Sequence, residues 1–421
     1  MLKLNNRGFS HDLLLIFLVL VFAIGGTGFV VMSHADVTAT GTVEAWGRND
    51  VGDLGQGYKG HGSTQPLPIK SLSGVTSVAA NYGGNMALLK DGTIRVWGGN
   101  ARGQLAQGNQ VASYAPETVP GLSGTVAKAI DARSSHDMVL MNDGTVYVWG
   151  ANGHGTTGNG TVASNKVGAR CLNCAQFVPY HIPNLANVVA ISAGGTDDMV
   201  LLKDGTVMAW GDNTFGQLGY DPATFANPYK PVVVPGLRNV KQIVAGENDD
   251  YAVLNNGTVL AWGDNNRGQL GNGSVANGKG YNYTPTPVQG LTNVVSMASG
   301  DAKQNLAVLK NGTVMAWGFN NNGQLGIGNK AQSCSTGPHS QPFSCSPLPV
   351  QISGLSGVTQ VSAGAGFSEA ISGGKVYSWG INDHTTLGSG NRISTNVPGL
   401  VVNISGVTQV SAGNDHSLAL H

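Results

Sequence analysis

The chain has 421 residues, 63 of them glycine; 23 Lys and Arg balance 23 Asp and Glu, and 11% of residues are charged against 41% hydrophobic. That composition excludes a disordered polyelectrolyte, and glycine without a three-residue period excludes a collagen helix. Zero net charge without a basic run argues against sequence-independent binding of nucleic acid, which needs clustered Lys and Arg.

Lys3 and Arg7 precede a run without charge, residues 13–32. As a helix that run would be about 30 Å long, enough to cross a bilayer. The positive flank predicts an inside N-terminus with the rest of the chain on the extracellular side. Residues 13–24 also read as a signal-peptide core, followed by a helix-breaking Gly25-Gly26-Thr27-Gly28 and small residues at Ser33 and Ala35. Residues 1–35 are thus expected to be a signal peptide, with a secreted product, or a single-pass signal anchor.

Every tryptophan that follows is joined to a glycine: Trp46, Trp97, Trp149, Trp210, Trp262, Trp317 and Trp379. A spacing of 51 to 62 residues indicates a solenoid or a propeller. Each unit opens on a Val-rich segment ending near Ala-Gly, continues with a second apolar stretch, and reaches a turn such as Asp91-Gly92 or Asn311-Gly312. Such pairs mark hairpins whose two turn residues take positive φ. Then come Thr-Val-x-x-Trp-Gly, a polar loop and a Pro/Val segment, giving four short strands per unit and no helical period. The first unit lacks its opening half, and residues 407–420 supply that half at the other end of the chain. The reading is all-β: a seven-bladed β-propeller over residues 37–421, closed by pairing of the N- and C-terminal strands in one blade and preceded by one hydrophobic helix.

The loops after Trp-Gly carry a resemblance. Trp210-Gly211-Asp212-Asn213 leads to Gly216-Gln217-Leu218-Gly219, and the pattern recurs at Gly268-Gln269-Leu270-Gly271 and Gly323-Gln324-Leu325-Gly326. This resembles the regulator of chromosome condensation repeat family, whose members are seven-bladed propellers. Gly103-Gln104-Leu105-Ala106, Gly155-Thr156-Thr157-Gly158 and Thr385-Thr386-Leu387-Gly388 depart from it. The family's recurrent His survives only at His136 and His416; Gly84, Asp197, Asp249, Gln304 and Phe367 replace it elsewhere. The resemblance implies a docking scaffold. The founding member is a nucleotide-exchange factor on chromatin, while exported bacterial members include a β-lactamase inhibitor, a precedent that suits the expected topology better.

The seven tryptophans are read as structural, filling the spaces between blades. Cys171 with Cys174, and Cys334 with Cys345, fall in the two longest units and read as two local disulfides on an exported chain, with a zinc site or a redox pair as alternatives. Aligning the units sets Asp137, Asp198 and Asp250 at one equivalent position, with Asp197 and Asp249 just before and Glu247 nearby. These could form an acidic sector for a cation, a basic peptide or an amine-bearing polymer, or could be solvated turn residues. Tyr220, Tyr229, Tyr281, Tyr283 and Phe343 stand in or beside the variable loops as candidate aromatic anchors. No catalytic set, metal set or cofactor motif is apparent. The expected function is a monomeric, non-catalytic module for a protein or a cell-surface glycan, with a membrane contact through residues 13–32 if uncleaved and no nucleic-acid partner. A surface hydrolase or lyase using the acidic sector is the alternative, and an exchange factor a third.

Overall fold

Five of the six expected Asx-Gly or Gly-Gly turns are built differently from the two-residue form. In a computed structural model that describes residues 41–122, 126–162, 175–275, 280–337 and 340–421, only the glycine of Asp91-Gly92, Asp143-Gly144, Asp204-Gly205, Asn256-Gly257 and Asn311-Gly312 is left-handed. The turn spans three residues, and the Asx side chain accepts from the backbone two residues on, as Asp91 Oδ1 does from Thr93 N at 2.9 Å. Gly373 and Gly374 alone are both left-handed, and there Ser372 pairs directly with Lys375.

These hairpins join the second and third strands of seven antiparallel sheets. Blade 2 covers residues 75–118, blade 3 residues 127–181, blade 4 residues 188–233, blade 5 residues 240–287, blade 6 residues 294–351 and blade 7 residues 358–400. Blade 1 is the expected clasp, ordered Gly60–Pro68, Val43–Asn49, His416–Leu420, Gln409–Ala412. Val43 pairs with Leu420 and Gly47 with His416, so the chain's two ends form one sheet and the ring has no open end.

The innermost strands surround a central channel of about 850 Å³. Their channel-side backbone edge has no strand partner, and side chains of the neighbouring blade's innermost strand bond to it. Ser411 Oγ accepts from Ala80 N, Ser362 Oγ from Ala412 N, and Ser192 Oγ from Ala245 N, all at 2.9–3.0 Å.

Every tryptophan is fully buried, and its indole Nε1 donates to a main-chain carbonyl of the preceding blade. Trp97 bonds Asp53 O, Trp149 bonds Gln104 O, Trp210 bonds Thr156 O and Trp262 bonds Gln217 O. Trp317 bonds Gln269 O, Trp379 bonds Gln324 O, and Trp46 closes the circuit on Thr386 O. The final glycine of the loop lies against that indole. A Cβ at Gly326 would sit 2.6 Å from Trp379 Nε1. Ala106, which replaces the glycine in blade 2, still adopts φ 55°.

Blade 6 gains a fifth strand, Gln332–Cys334, paired with Phe343–Gln351 and fastened by a Cys334–Cys345 disulfide. Cys171 and Cys174 lie outside the described residues, as does the apolar run 13–32. Among the described residues no helix is long and apolar enough to cross a membrane.

Replacing Trp210 by Phe keeps an apolar ring but leaves the buried Thr156 carbonyl without its donor. The expected loss is about 1–3 kcal/mol in urea unfolding at unchanged m-value; a wild-type midpoint would contradict the role given to the indole N–H.

Candidate functional site

The blades present two unlike faces. The turn face holds the hairpins described above and the connectors between blades; the loop face holds the turns between first and second strands and the long loops after Trp-Gly. One residue shapes each long loop. Asn49, Asn100, Asn152, Asn213, Asn265, Asn320 and Asn382 accept, through Oδ1, the backbone N–H five residues on, at 2.9–3.1 Å. Six of their Nδ2 groups donate to a carbonyl farther along, as Asn49 does to Tyr58 O and Asn382 to Ile393 O, and that of Asn320 donates to Ser344 Oγ. The recurring asparagine is thus a loop former, not a metal ligand. Among the described residues no group of three His, Cys, Asp or Glu is arranged for a metal ion.

The carboxylates expected to form an acidic sector are somewhere else. Asp137, Asp197, Asp198, Asp249 and Asp250 do fall at equivalent positions, since Asp137, Asp198 and Asp250 all pair with the tryptophan of their own blade. All five are buried. They open the second strand, whose neighbours on either side are strands, so their side chains meet the next blade instead of water. The first residue of one blade reaches the second residue of the following one. His136 Nε2 lies 2.8 Å from Asp198 Oδ1, and His416 Nε2 lies 2.7 Å from Asn85 Oδ1. Burial would lower His136, but Asp198 outweighs it and holds the imidazole above its ordinary range. His416 faces an amide, and burial pulls it down to about 4, so it is neutral. At the next junction after His136, Asp197 stands where the histidine was and meets Asp250. Burial raises both well above the usual carboxylate range, with the Asp250 charge adding to it at Asp197 and the Asp249 charge at Asp250; two carboxyls this close can hydrogen-bond only with a proton between them. Neither a substrate nor a basic partner can approach groups so enclosed.

Glu247 alone of that set faces solvent, on the loop face beside a charged cluster. Lys303 Nζ lies 2.6 Å from Asp264 Oδ2 and 3.9 Å from Glu247 Oε2. Arg133 reaches across the channel mouth from blade 3, with Nε on Asp301 Oδ1 at 2.8 Å and Nη1 on the carbonyls of Ala245 and Ser299.

The expected aromatic anchors serve largely as joints. Tyr229 and Tyr283 pack against Gly155 and Gly216 of the preceding blade. Tyr220 stacks on Phe225 at 4.2 Å and donates to Val233 O. Tyr281 is half-buried opposite Asp264 in the sheet. Phe343 is buried under the Arg267 guanidinium, 4.4 Å from its ring centroid. The exposed apolar side chains of the loop face were not singled out from sequence: Tyr58 at 54%, Tyr82 at 58%, Val111 at 71% and Ile393 at 73%, with Val51 against Gly83. They occupy blades 7, 1 and 2, which are contiguous through the clasp, and the charged cluster occupies blades 3, 5 and 6.

Comparison with known proteins agrees with this architecture. The RCC1-like domain profile matches residues 164–419, and the Regulator of chromosome condensation (RCC1) repeat matches residues 75–104. The chain belongs to the RCC1-like domain family. It is 25% identical over 390 residues to the ultraviolet-B receptor UVR8 of Arabidopsis thaliana, covering 91% of this chain and 81% of the receptor. It is 31% identical over 263 residues to the E3 ubiquitin-protein ligase HERC2 of Homo sapiens, 61% of this chain but only 5% of that ligase. The crystal structure of yeast RCC1 (Prp20) bound to Kap60 superposes with a TM-score of 0.78 at 24% identity, over 90% of this chain and 88% of that one. These relatives are plant, human and yeast proteins, so kinship with exported bacterial members is not what they show.

One buried acid breaks the pattern of this RCC1-like ring. Glu369 occupies the position that Met86, Met138, Met199, Tyr251, Leu306 and Leu418 hold in the other blades. Burial pushes it from 4.5 up to about 8. The folded protein therefore keeps a proton that the unfolded chain releases above pH 4.5. The corresponding stability is fully present below 4.5 and is lost as pH rises through about 8. Asp137, raised to about 7, and the Asp197–Asp250 pair add losses of the same sign. Glu369→Met is expected to gain on the order of 1–2 kcal/mol over wild type near pH 8 and almost nothing near pH 5. Thermal melts of both proteins across that range test this; parallel curves would contradict it.

Proposed function

We propose that this chain is an exported, membrane-tethered or secreted recognition propeller that performs no chemistry of its own and binds a protein or a surface glycan through its loop face. The observation that carries the reading is the apolar arc of blades 7, 1 and 2. Tyr58, Tyr82, Val111 and Ile393 project from loops whose backbones are fixed by buried asparagines, so they are presented without a large ordering cost. Aromatic side chains on a rigid surface, with a charged cluster alongside, are the usual composition of a protein-binding patch. Burial of Asp137, Asp197, Asp198, Asp249 and Asp250 counts against the hydrolase or lyase alternative and leaves it Glu247 alone. The exchange-factor reading would rest on the fold of proteins such as Prp20p, whose reported binding concerns Gsp1p and histones.

Tyr58→Ala combined with Tyr82→Ala is expected to weaken partner binding tenfold or more, roughly the effect of losing one anchor side chain, with the melting temperature unchanged. The measurement is quantitative affinity capture from the native envelope, with a turn-face Lys310→Ala variant as control. Recovery of the same partner at the same level by the double variant would overturn the assignment of this arc.

A further inference from the structure

The turn face carries a charge that the neutral total conceals. Lys70, Lys90, Lys203, Arg238, Lys310 and Lys375 are all exposed on its hairpins and connectors. Backbone bonds place these hairpins and connectors at one end of the ring: Lys90 N donates to Gly74 O, Lys203 N to Asn187 O, and Lys310 N to Asn293 O. Lys128 and Lys241 add two half-buried ammonium groups nearer the channel, the latter donating to Val294 O at 2.8 Å. The exposed carboxylates on the same hairpins are Asp91, Asp143 and Asp204. Each accepts from a threonine backbone N–H in its own turn, which holds it below the usual carboxylate range and therefore charged. Glu44 is half-buried and lies 3.7 Å from His421. Six exposed bases thus face three exposed acids. Part of the chain's formal negative charge is sealed between blades, in Asp137, Asp197, Asp198, Asp249, Asp250 and Glu369.

The chain also enters the ring at this face. Gly41 O accepts from Val75 N beside the channel mouth, and Thr42 exchanges backbone bonds with His421. Eight residues, 33–40, separate that point from the uncharged run 13–32. Fully extended, they reach about 30 Å at most. With the run seated in a bilayer, the basic face is the part of the propeller closest to it.

We propose that the turn face is a docking surface for anionic lipid headgroups of the bilayer that holds residues 13–32. The attraction is between lysine and arginine side chains and headgroup phosphates, so it strengthens with anionic lipid and weakens with salt. Docked this way, the propeller lies with its channel mouth toward the membrane and its loop face turned outward. The proposal rests on the membrane-tethered form of the reading above and stands whether or not Tyr58 and Tyr82 bind a protein. A chain that does not float with phosphatidylcholine vesicles would overturn the tether, whereas a chain that floats with equal lysine acetylation rates in both vesicles would overturn the docking.

The test uses the full chain in vesicles of phosphatidylcholine with or without phosphatidylglycerol. Brief amine acetylation, quantified residue by residue by mass spectrometry, compares the turn-face Lys70, Lys90, Lys203, Lys310 and Lys375 with the exposed loop-face Lys59 and Lys230. The expected result is that phosphatidylglycerol slows the turn-face lysines about five-fold or more, leaves the loop-face lysines unchanged, and loses its effect in high salt. Equal rates in the two vesicles would overturn the proposal, as would slowing confined to the loop-face lysines. Duplex DNA and polyglutamate, added to the phosphatidylcholine vesicles, test other polyanions: either one slowing the turn-face lysines where phosphatidylglycerol does not would reassign the face to that partner. Since the protein is the wild type throughout, no outcome depends on whether a variant folds.

Discussion

The ring depends on seven hydrogen bonds that cross from blade to blade, each from a buried indole N–H to a main-chain carbonyl in the preceding loop. Separating any two blades would strand a buried donor and a buried acceptor and expose one of the largest side chains in the core. Because the acceptor is backbone, the residue that supplies it is free to vary. That explains how Asp53, Thr156 and Thr386 can stand where other blades have glutamine. The constraint falls on the loop's shape, which the buried asparagines and the left-handed final residue maintain together.

A second layer of polar contacts lies beneath the indoles. The two residues opening each second strand meet across the blade junctions, and these pairs are not uniform: His136 with Asp198, Asp197 with Asp250, His416 with Asn85. Each solution satisfies or neutralises a group that would be costly if buried as a lone charge. The acids in this layer count in the formal charge of the chain without contributing to its surface. What water and partners meet is a basic turn face and a loop face on which the exposed apolar side chains of blades 7, 1 and 2 share their sector with the Arg48–Asp50 and Arg48–Asp415 ion pairs, apart from the mixed-charge cluster of blades 3, 5 and 6. Closure by the clasp makes that apolar arc continuous, since it runs from blade 7 through the shared blade 1 into blade 2.

Architecture was legible in the sequence because it repeats: seven Trp-Gly pairs, a half unit at each end, and Asx-Gly hairpins that recur in register. Details within a unit were less legible. The Asx residue of the turn was expected at positive φ, but a three-residue turn needs only the glycine there, and both geometries share the same dipeptide. Asp137, Asp198 and Asp250 stood in the right column, yet a carboxylate just after a turn reads as solvated. Its depth comes from the adjacent blade, which no single unit shows. Tyr283 and Tyr229 looked like free anchors because they sit beside variable loops; they are held by glycines one repeat earlier. Glu369 was overlooked although its column is otherwise Met, Leu and Tyr, a contrast visible once all seven units are set side by side. Charge asymmetry between the faces was hidden by adding all charges together, when burial had taken several acids out of the surface.

The account stands on the two faces having different neighbours. Site-specific photo-crosslinking on the native membrane tests this most directly, with a photoreactive side chain in place of Tyr82 in one preparation and of Lys310 in another. The account predicts a discrete protein adduct from position 82 and lipid adducts from position 310. Lipid adducts from position 82, or one and the same protein adduct from both positions, would contradict it.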